Sequence, residues 1–476
     1  MGSLLRRGSL VLVFGQWAKY GLQFLSVILL ARLLAPEAFG MMALVLSVSG
    51  IASVIGDFGL SLSALRTKVL SDEAQSALGW ANGLLGSLVA LICVVAAPFI
   101  AEAFGKDVVA PLLMFVSLTF VLNGFAVQNK VRLNRSGRFV ALALLEIGSQ
   151  LSGVVTAIVL AFSGAGVWSL AWQQVCASSC ALVVVVLLTR WFPALPRRGT
   201  GVRSHLRFGS ATFGTQVANY FSSNSDTIAL GFAQSAAEVG FYNRAFQLSV
   251  LPVQQFAAPL TRAVVPGLAR ITSEAQLSAS FKRVQASLYM IALPGLAFVI
   301  VEARFLVESL LGSPWLAAAV PLQVLAGASV FQILAYPVYW AAIIRARVGA
   351  LFWSELPGRL VIIVGAFLAA SIGNVAVAFV VLSGQAIIWT VAIVLAVPRL
   401  NLRRSEFLRP CLTPVALAGT VSVLLLLSSW FGLQRGWSSI VILLAGLTSV
   451  GAMMVILLCV PTIRRTIVAA LAELRR

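Results

Sequence analysis

The sequence predicts an all-α polytopic membrane protein of about fourteen transmembrane helices: two parallel six-helix lobes and an appended C-terminal helix pair. Three observations lead there. Of 476 residues, 60% are hydrophobic and only 10% charged, with a mean hydropathy of +0.99; a soluble chain needs about 25% charged residues to cover its surface. Apolar runs near the length of a bilayer crossing, roughly 20 residues, recur along the whole chain. Basic residues collect in alternate loops between those runs. A soluble enzyme, a secreted disulfide scaffold, a disordered chain and a nucleic-acid-binding domain are thereby excluded.

The amino terminus, MGSLLRRGSL, leads into an apolar run too long for a cleaved signal peptide and without a small-residue cleavage site. It reads as the first span, starting in the cytoplasm, and it lacks the Ser or Thr that a myristoylation signal prefers. The spans predicted from the apolar runs are 9–34, 38–64, 76–101, 109–129, 139–162, 166–190, 208–233, 238–264, 284–302, 316–343, 350–372, 375–397, 411–431 and 437–460.

The loops test that count. The net charge is +19, from 34 Lys and Arg against 15 Asp and Glu. Loops predicted as cytoplasmic carry Arg66 and Lys68; Lys130, Arg132, Arg135 and Arg138; Arg197, Arg198 and Arg203; Arg270, Lys282 and Arg283; Arg345 and Arg347; Arg399, Arg403, Arg404 and Arg409. The carboxyl end adds Arg464, Arg465, Arg475 and Arg476. Opposite loops hold few cations, chiefly Lys106, Arg304 and Arg435, beside Glu37, Glu102, Asp107, Glu238, Glu302 and Glu308. A wrong count would invert this alternation partway, so both termini are assigned to the cytoplasm.

The Pro-, Gly- and Arg-rich stretch WFPALPRRGTGVRSHLR separates the halves. The division is an N-terminal lobe 1–195, a linker 196–207, a second lobe 208–400, and residues 401–476 as the appended pair with its basic tail. An offset of 200 aligns Gln16 with Gln216, Ala18 with Ala218, Tyr20 with Tyr220, Gly40 with Gly240 and Ser49 with Ser249. Both halves start on the same side, so the repeat is parallel, a transporter architecture.

Ionisable groups within spans are costly and mark function. Lys19 shares a face of the first span with Gln16, Tyr20 and Gln23; it lines a cavity or snorkels to the interface. Arg244 begins the eighth span, with Gln247, Gln254 and Gln255 continuing a polar stripe. Arg359 follows Glu355 by one turn, which makes an ion pair the alternative to a cavity role. The seventh span carries Gln216, Asn219, Tyr220 and Asn224. Lys19, Arg244 and Arg359 suit a phosphate or diphosphate, and the surrounding Gln, Asn and Tyr side chains suit sugar hydroxyls. Asp57, Glu146, Asp226 and Glu355 bind a proton or sodium ion, or pair with the cations. Trp168, Trp172, Tyr336, Tyr339 and Trp340 read mostly as an interfacial belt. With one histidine, His205, and five cysteines scattered in apolar segments, neither a metal site, a cofactor nor a disulfide is expected.

ARLLAPEAFGMMALVLSVSGIASVIGDFGLSLSALR, residues 31–66, resembles the first helix hairpin of the polysaccharide transporter family, and NRAFQLSVLPVQQFAAPLTRAVVPGLARI, residues 243–271, resembles that family's eighth helix and following loop. That family belongs to the multidrug/oligosaccharidyl-lipid/polysaccharide exporter superfamily. The resemblance implies a non-enzymatic flippase in the bacterial inner membrane. Its substrate would be undecaprenyl-diphosphate-linked oligosaccharide units for exopolysaccharide, capsule or O-antigen export, moved by alternating access. It implies a polysaccharide polymerase and glycosyltransferases as neighbours. The alternative is a cation-coupled multidrug exporter of the same fold, which would need an acidic cavity.

Overall fold

Hydrocarbon offers backbone N–H and C=O groups no partners, so a spanning chain satisfies them inside helices or closed barrels. The computed structural model takes the helical route. It describes residues 19, 21–57, 59–67, 70–195, 202–347 and 349–459, and among these every regular element is a helix.

Helix α1 is Gly21–Leu33. α2 (Pro36–Asp57) and α3 (Leu60–Arg66) form one interrupted span, broken where Gly59 adopts a left-handed φ of 68°. There follow α4 (Asp72–Phe104), α5 (Val109–Arg135), α6 (Phe139–Phe162), α7 (Val167–Thr189) and α8 (Val202–Ala233). α9 (Ala236–Pro252) runs through a π turn at Val253–Ala257 into α10 (Ala258–Ala269). α11 (Glu274–Val301) is separated from α13 (Ala319–Ile344) by the short α12 (Ala303–Leu310) and a 3-10 turn. α14 (Gly349–Ala369), α15 (Asn374–Val391) with its last turn α16 (Val397–Arg399), α17 (Arg404–Gln434) and α18 (Ser439–Cys459) complete the chain. A helix thus stands at each predicted span. Among the described residues, ten are long and apolar enough to cross a membrane. α2 begins at Pro36 and α9 at Ala236, the same offset that aligns the two halves in sequence.

The chain divides into two compact units, Met1–Gly240 and Phe241–Arg476. In the first, α4 packs along α5, α6 along α7, and α2 lies against α4, α5 and α8. In the second, α14 pairs with α15, while α11 packs on α13 and α17. Trp340, Tyr289 and Phe407 lie in that unit's core. Trp340 donates to Thr261 Oγ1 at 2.7 Å and is fully buried, so it is a core anchor rather than part of an interfacial belt.

Helices surrounded by lipid gain little from apolar burial against each other, so close approach at small residues takes over. A Cβ on Gly384 would lie 2.9 Å from the Gly358 carbonyl oxygen, and one on Gly358 would overlap the Gly384 carbonyl. The α4–α5 crossing is built the same way at Gly86 and Gly124.

The basic residues at span ends also bind helix termini. Arg135 Nη1 donates to Ala64 O and Thr67 O at 2.9 and 2.5 Å, and Arg138 Nη1 to Leu188 O at 2.9 Å. In the second unit Arg404 reaches Val394 O at 3.0 Å and Arg347 binds Arg399 O. Each cation meets orphan carbonyls at the negative end of a helix dipole. Lys106 caps in like manner, bonding Phe104 O and Gly231 O at 3.0 and 2.9 Å.

Candidate functional site

A cavity of about 440 Å³ lies within the first unit. Helix periodicity builds its walls. Leu46, Ser49, Gly50, Ser53 and Gly56 form one stripe of α2, and Val116, Thr119, Phe120, Asn123, Gly124, Val127 and Lys130 form one stripe of α5. Ser61, Asn82, Gln174 and Ser178 complete the lining. In a bundle this apolar, the hydroxyl and amide groups on facing stripes give the chamber a mixed wall, partly polar and partly apolar.

The lining is not self-satisfied. Ser49 is 6% exposed and Asn82 1%; among the described residues, neither Ser49 Oγ nor Asn82 Nδ2 has a hydrogen-bond partner. Both atoms are enclosed within the wall, out of reach of a molecule in the chamber, and are costly to leave unpaired. Asn82 Oδ1 does accept from Gln128 Nε2 at 2.9 Å. That bond belongs to a polar ladder between α4 and α5. Gln75 Nε2 donates to Gln128 O at 3.3 Å, and Arg132 Nη1 bonds Gln75 Oε1 and Asp72 Oδ1 at 3.3 and 2.7 Å.

Lys130 supplies the chamber's charge. The basic run beginning at Lys130 reads in sequence as a cytoplasmic loop, with the fourth span ending at 129. α5 instead continues to Arg135, which brings Lys130 onto the cavity stripe. Glu146 and Lys19 both act on it electrostatically. Lys19 Nζ lies 3.4 Å from Glu146 Oε2, each side chain about a third exposed. Lys19 is thus paired with Glu146, Lys130 lies within the electrostatic reach of both, and the three formal charges sum to one positive.

The other sequence-derived candidates distribute as follows. Gln16 and Tyr20 lie outside the described residues, as does the side chain of Asp57, the last residue of α2. Gln23 is exposed on α1. Tyr220 of α8 donates to Leu46 O at 3.2 Å and lies against Gly50, bringing it to the chamber's α2 wall. Asn224 bonds back to Tyr220 O at 2.9 Å, while Gln216 is half-buried and Asn219 exposed. Asp226 is buried, and its Oδ1 accepts the Thr227 N–H at 2.7 Å. In the second unit Arg244 is 9% exposed and donates to Gln247 Oε1 at 2.6 Å; Gln247 in turn donates to Asn243 Oδ1 at 3.1 Å. Arg359 Nη2 lies 2.7 Å from Glu355 Oε2, the i, i+4 ion pair that the spacing allows.

The chain is similar to proteins of polysaccharide biosynthesis and transport. It is 25% identical over 339 residues to the lipopolysaccharide biosynthesis protein WzxC of Escherichia coli, covering 70% of this chain and 68% of that one. It is 26% identical over 368 residues to the succinoglycan biosynthesis transport protein ExoT of Rhizobium meliloti, covering 73% and 74%. Among solved structures, the lipid II flippase MurJ in an inward closed conformation superposes with a TM-score of 0.65, at 13% identity over 94% of this chain and all of that one. The fold is that of a membrane transporter rather than of an enzyme. Residues 29–320 match the polysaccharide biosynthesis protein family, to which this chain belongs.

Proposed function

We propose that the protein is a flippase for lipid-linked oligosaccharides, carrying diphosphate-linked units from the inner to the outer leaflet of the bacterial inner membrane with both its termini in the cytoplasm. The observation that carries this reading is the chamber of the first unit, whose only charged lining residue among those described is Lys130, with the Lys19–Glu146 pair acting on it electrostatically. A net cation among hydroxyl and amide groups suits an anionic headgroup followed by sugar, and a volume of about 440 Å³ falls within the roughly 300–1,000 Å³ of ligand pockets. Lys130 and Lys19 receive the diphosphate, and Arg244 and Arg359 of the second unit meet the same group at another stage of alternating access. Asn123 and Gln174 hold the first sugar, with Gln16, Tyr20, Gln23, Gln216, Asn219, Tyr220, Asn224 and Gln247 serving the rest of the glycan. The prenyl tail stays in lipid. Glycosyltransferases supply the substrate and a polymerase takes the product. The family membership and the names of the relatives, a lipopolysaccharide biosynthesis protein and a succinoglycan biosynthesis transport protein, support this reading.

A leaflet assay tests it. Proteoliposomes loaded with a fluorescent diphosphate-linked glycan should show protein-dependent transfer, and a cationic dye should not move. Transfer of the dye with no transfer of the glycan would establish the multidrug-exporter reading instead.

A further inference from the structure

Glu302 is counted among the outer-loop acids by sequence, yet the structure encloses it completely, at 0% exposure. It follows the last residue of α11, and its backbone N–H donates to Phe298 O at 2.9 Å. Its carboxyl meets the C-terminal helix pair. Oε1 lies 2.5 Å from Ser429 Oγ of α17, and Gly446 of α18 comes so near that a Cβ there would be 3.6 Å from Oε1. Oε2 is buried without a hydrogen-bond partner among the described residues.

No counter-charge reaches it among those residues. Arg304, next on α12, is exposed. Glu308 of α12 is occupied by the Ser439 hydroxyl at 2.8 Å. Arg435, at the end of α17, is exposed and sits 4.1 Å over the Phe431 ring. The other charged residues of α17, Arg404, Glu406 and Arg409, lie at its opposite end. α13, whose Gln323 bonds Ile300 O at 3.1 Å, and α18 contain no charged residue.

The hydrogens locate the proton. Ser429 has one hydroxyl hydrogen, and Leu425 O lies 2.8 Å from the same Oγ. An ionised Glu302 would take that hydrogen on Oε1 and leave a charged Oε2 with nothing, beside the negative end of the α11 dipole. A neutral Glu302 donates from Oε1 to Ser429, which donates onward to Leu425 O, and Oε2 is left as an uncharged carbonyl. Burial pushes the carboxyl above the ordinary glutamate range.

We propose that Glu302 is a proton-binding site whose occupancy docks the C-terminal helix pair, α17 and α18, onto α11 and α12. Release of the proton to water creates a carboxylate that the interface cannot hold, and the pair loosens until water reaches it. The sign follows from the direction of the shift: docking is complete below the ordinary glutamate pKa and is lost as pH rises through the raised value.

Hydrogen exchange of α17 and α18 in nanodiscs tests this on the full chain, comparing wild type with Glu302→Gln at each pH so that intrinsic exchange cancels. The two should match near about pH 5. Wild-type protection should then fall relative to the variant by up to about tenfold per pH unit above the midpoint. A constant ratio up to about pH 8 overturns the proposal. Should Glu302→Gln fail to fold, infrared titration of wild type carrying isotope-labelled glutamate decides. A buried protonated carboxyl that titrates above the ordinary glutamate range, about pH 4.3, and whose band shifts in Ser429→Ala supports the site; absence of such a band, or one that Ser429→Ala leaves unmoved, refutes it.

Discussion

Replacing Lys130 with Ala should slow leaflet transfer of a diphosphate-linked glycan by about 10- to 100-fold, the loss that matches a charge-assisted hydrogen bond of about 1.5–3 kcal/mol. The reasoning rests on charge count in a confined space. Lys19, Lys130 and Glu146 together carry one excess positive charge beside the chamber. Without Lys130 the remaining pair is neutral, and an anion entering the chamber meets no net attraction. The Lys19–Glu146 pair cannot compensate, because a partly exposed ion pair contributes only about 0–1 kcal/mol and offers its ammonium to a carboxylate already at hand. Restoring the excess by a second change, Glu146→Gln in the Lys130→Ala background, frees Lys19 and should recover part of the rate. Initial rates in proteoliposomes at low and high salt read both effects, since screening weakens an attraction through solvent more than a direct contact. Rates within about twofold of wild type for Lys130→Ala would remove this lysine from the anion site, a change of only about 0.4 kcal/mol.

The contrast between what was legible in the chain and what was not has a physical basis. Spans announce themselves because each requires a long apolar run, and the structure places a helix at every one. Lys130 was hidden by the same logic. A lysine followed by Arg132, Arg135 and Arg138 reads as a loop, since charge pattern says which side of the membrane a segment faces but not how far its helix continues. A signal was present nonetheless: Thr119, Asn123 and Lys130 fall on one face of α5 with Gly124, opposite the Ser49–Ser53 stripe of α2. Arg359 and Glu355 pair as their spacing permits. The Lys19–Glu146 approach could not be read, because it joins helices far apart in sequence. Glu302 was misplaced for a third reason. A residue at a span boundary is buried or wet according to what packs over it, and α17 and α18 are contributed by sequence more than 100 residues later.

Gly124→Val should destabilise the first unit by about 1–3 kcal/mol, whereas Gly148→Ala should leave it unchanged or slightly firmer. α4 and α5 cross where each presents glycine to the other's backbone. A Cβ on Gly124 would lie 2.6 Å from Asn82 O and 3.3 Å from the Gly83 Cα, and a Cβ on Gly86 would overlap the Phe120 carbonyl. Backbone atoms of a helix cannot rotate aside as a side chain can, so the helices must separate. Overpacking of this kind costs about 1–3 kcal/mol and sometimes more. The helix-propensity gain on replacing glycine is at most about 1 kcal/mol, and smaller for the β-branched valine than for alanine, so the clash wins. At Gly148 of α6 nothing lies within 4 Å of the added Cβ, which leaves only the propensity gain. Separating α4 from α5 also breaks the Gln128–Asn82 bond and pulls apart a wall of the chamber, so surviving Gly124→Val protein should transfer glycan poorly. Thermal unfolding in detergent, read beside folded yield, checks the pair. Equal stability of the two variants would mean that the crossing is looser than its geometry requires, and that close glycine contact does not hold the chamber in shape.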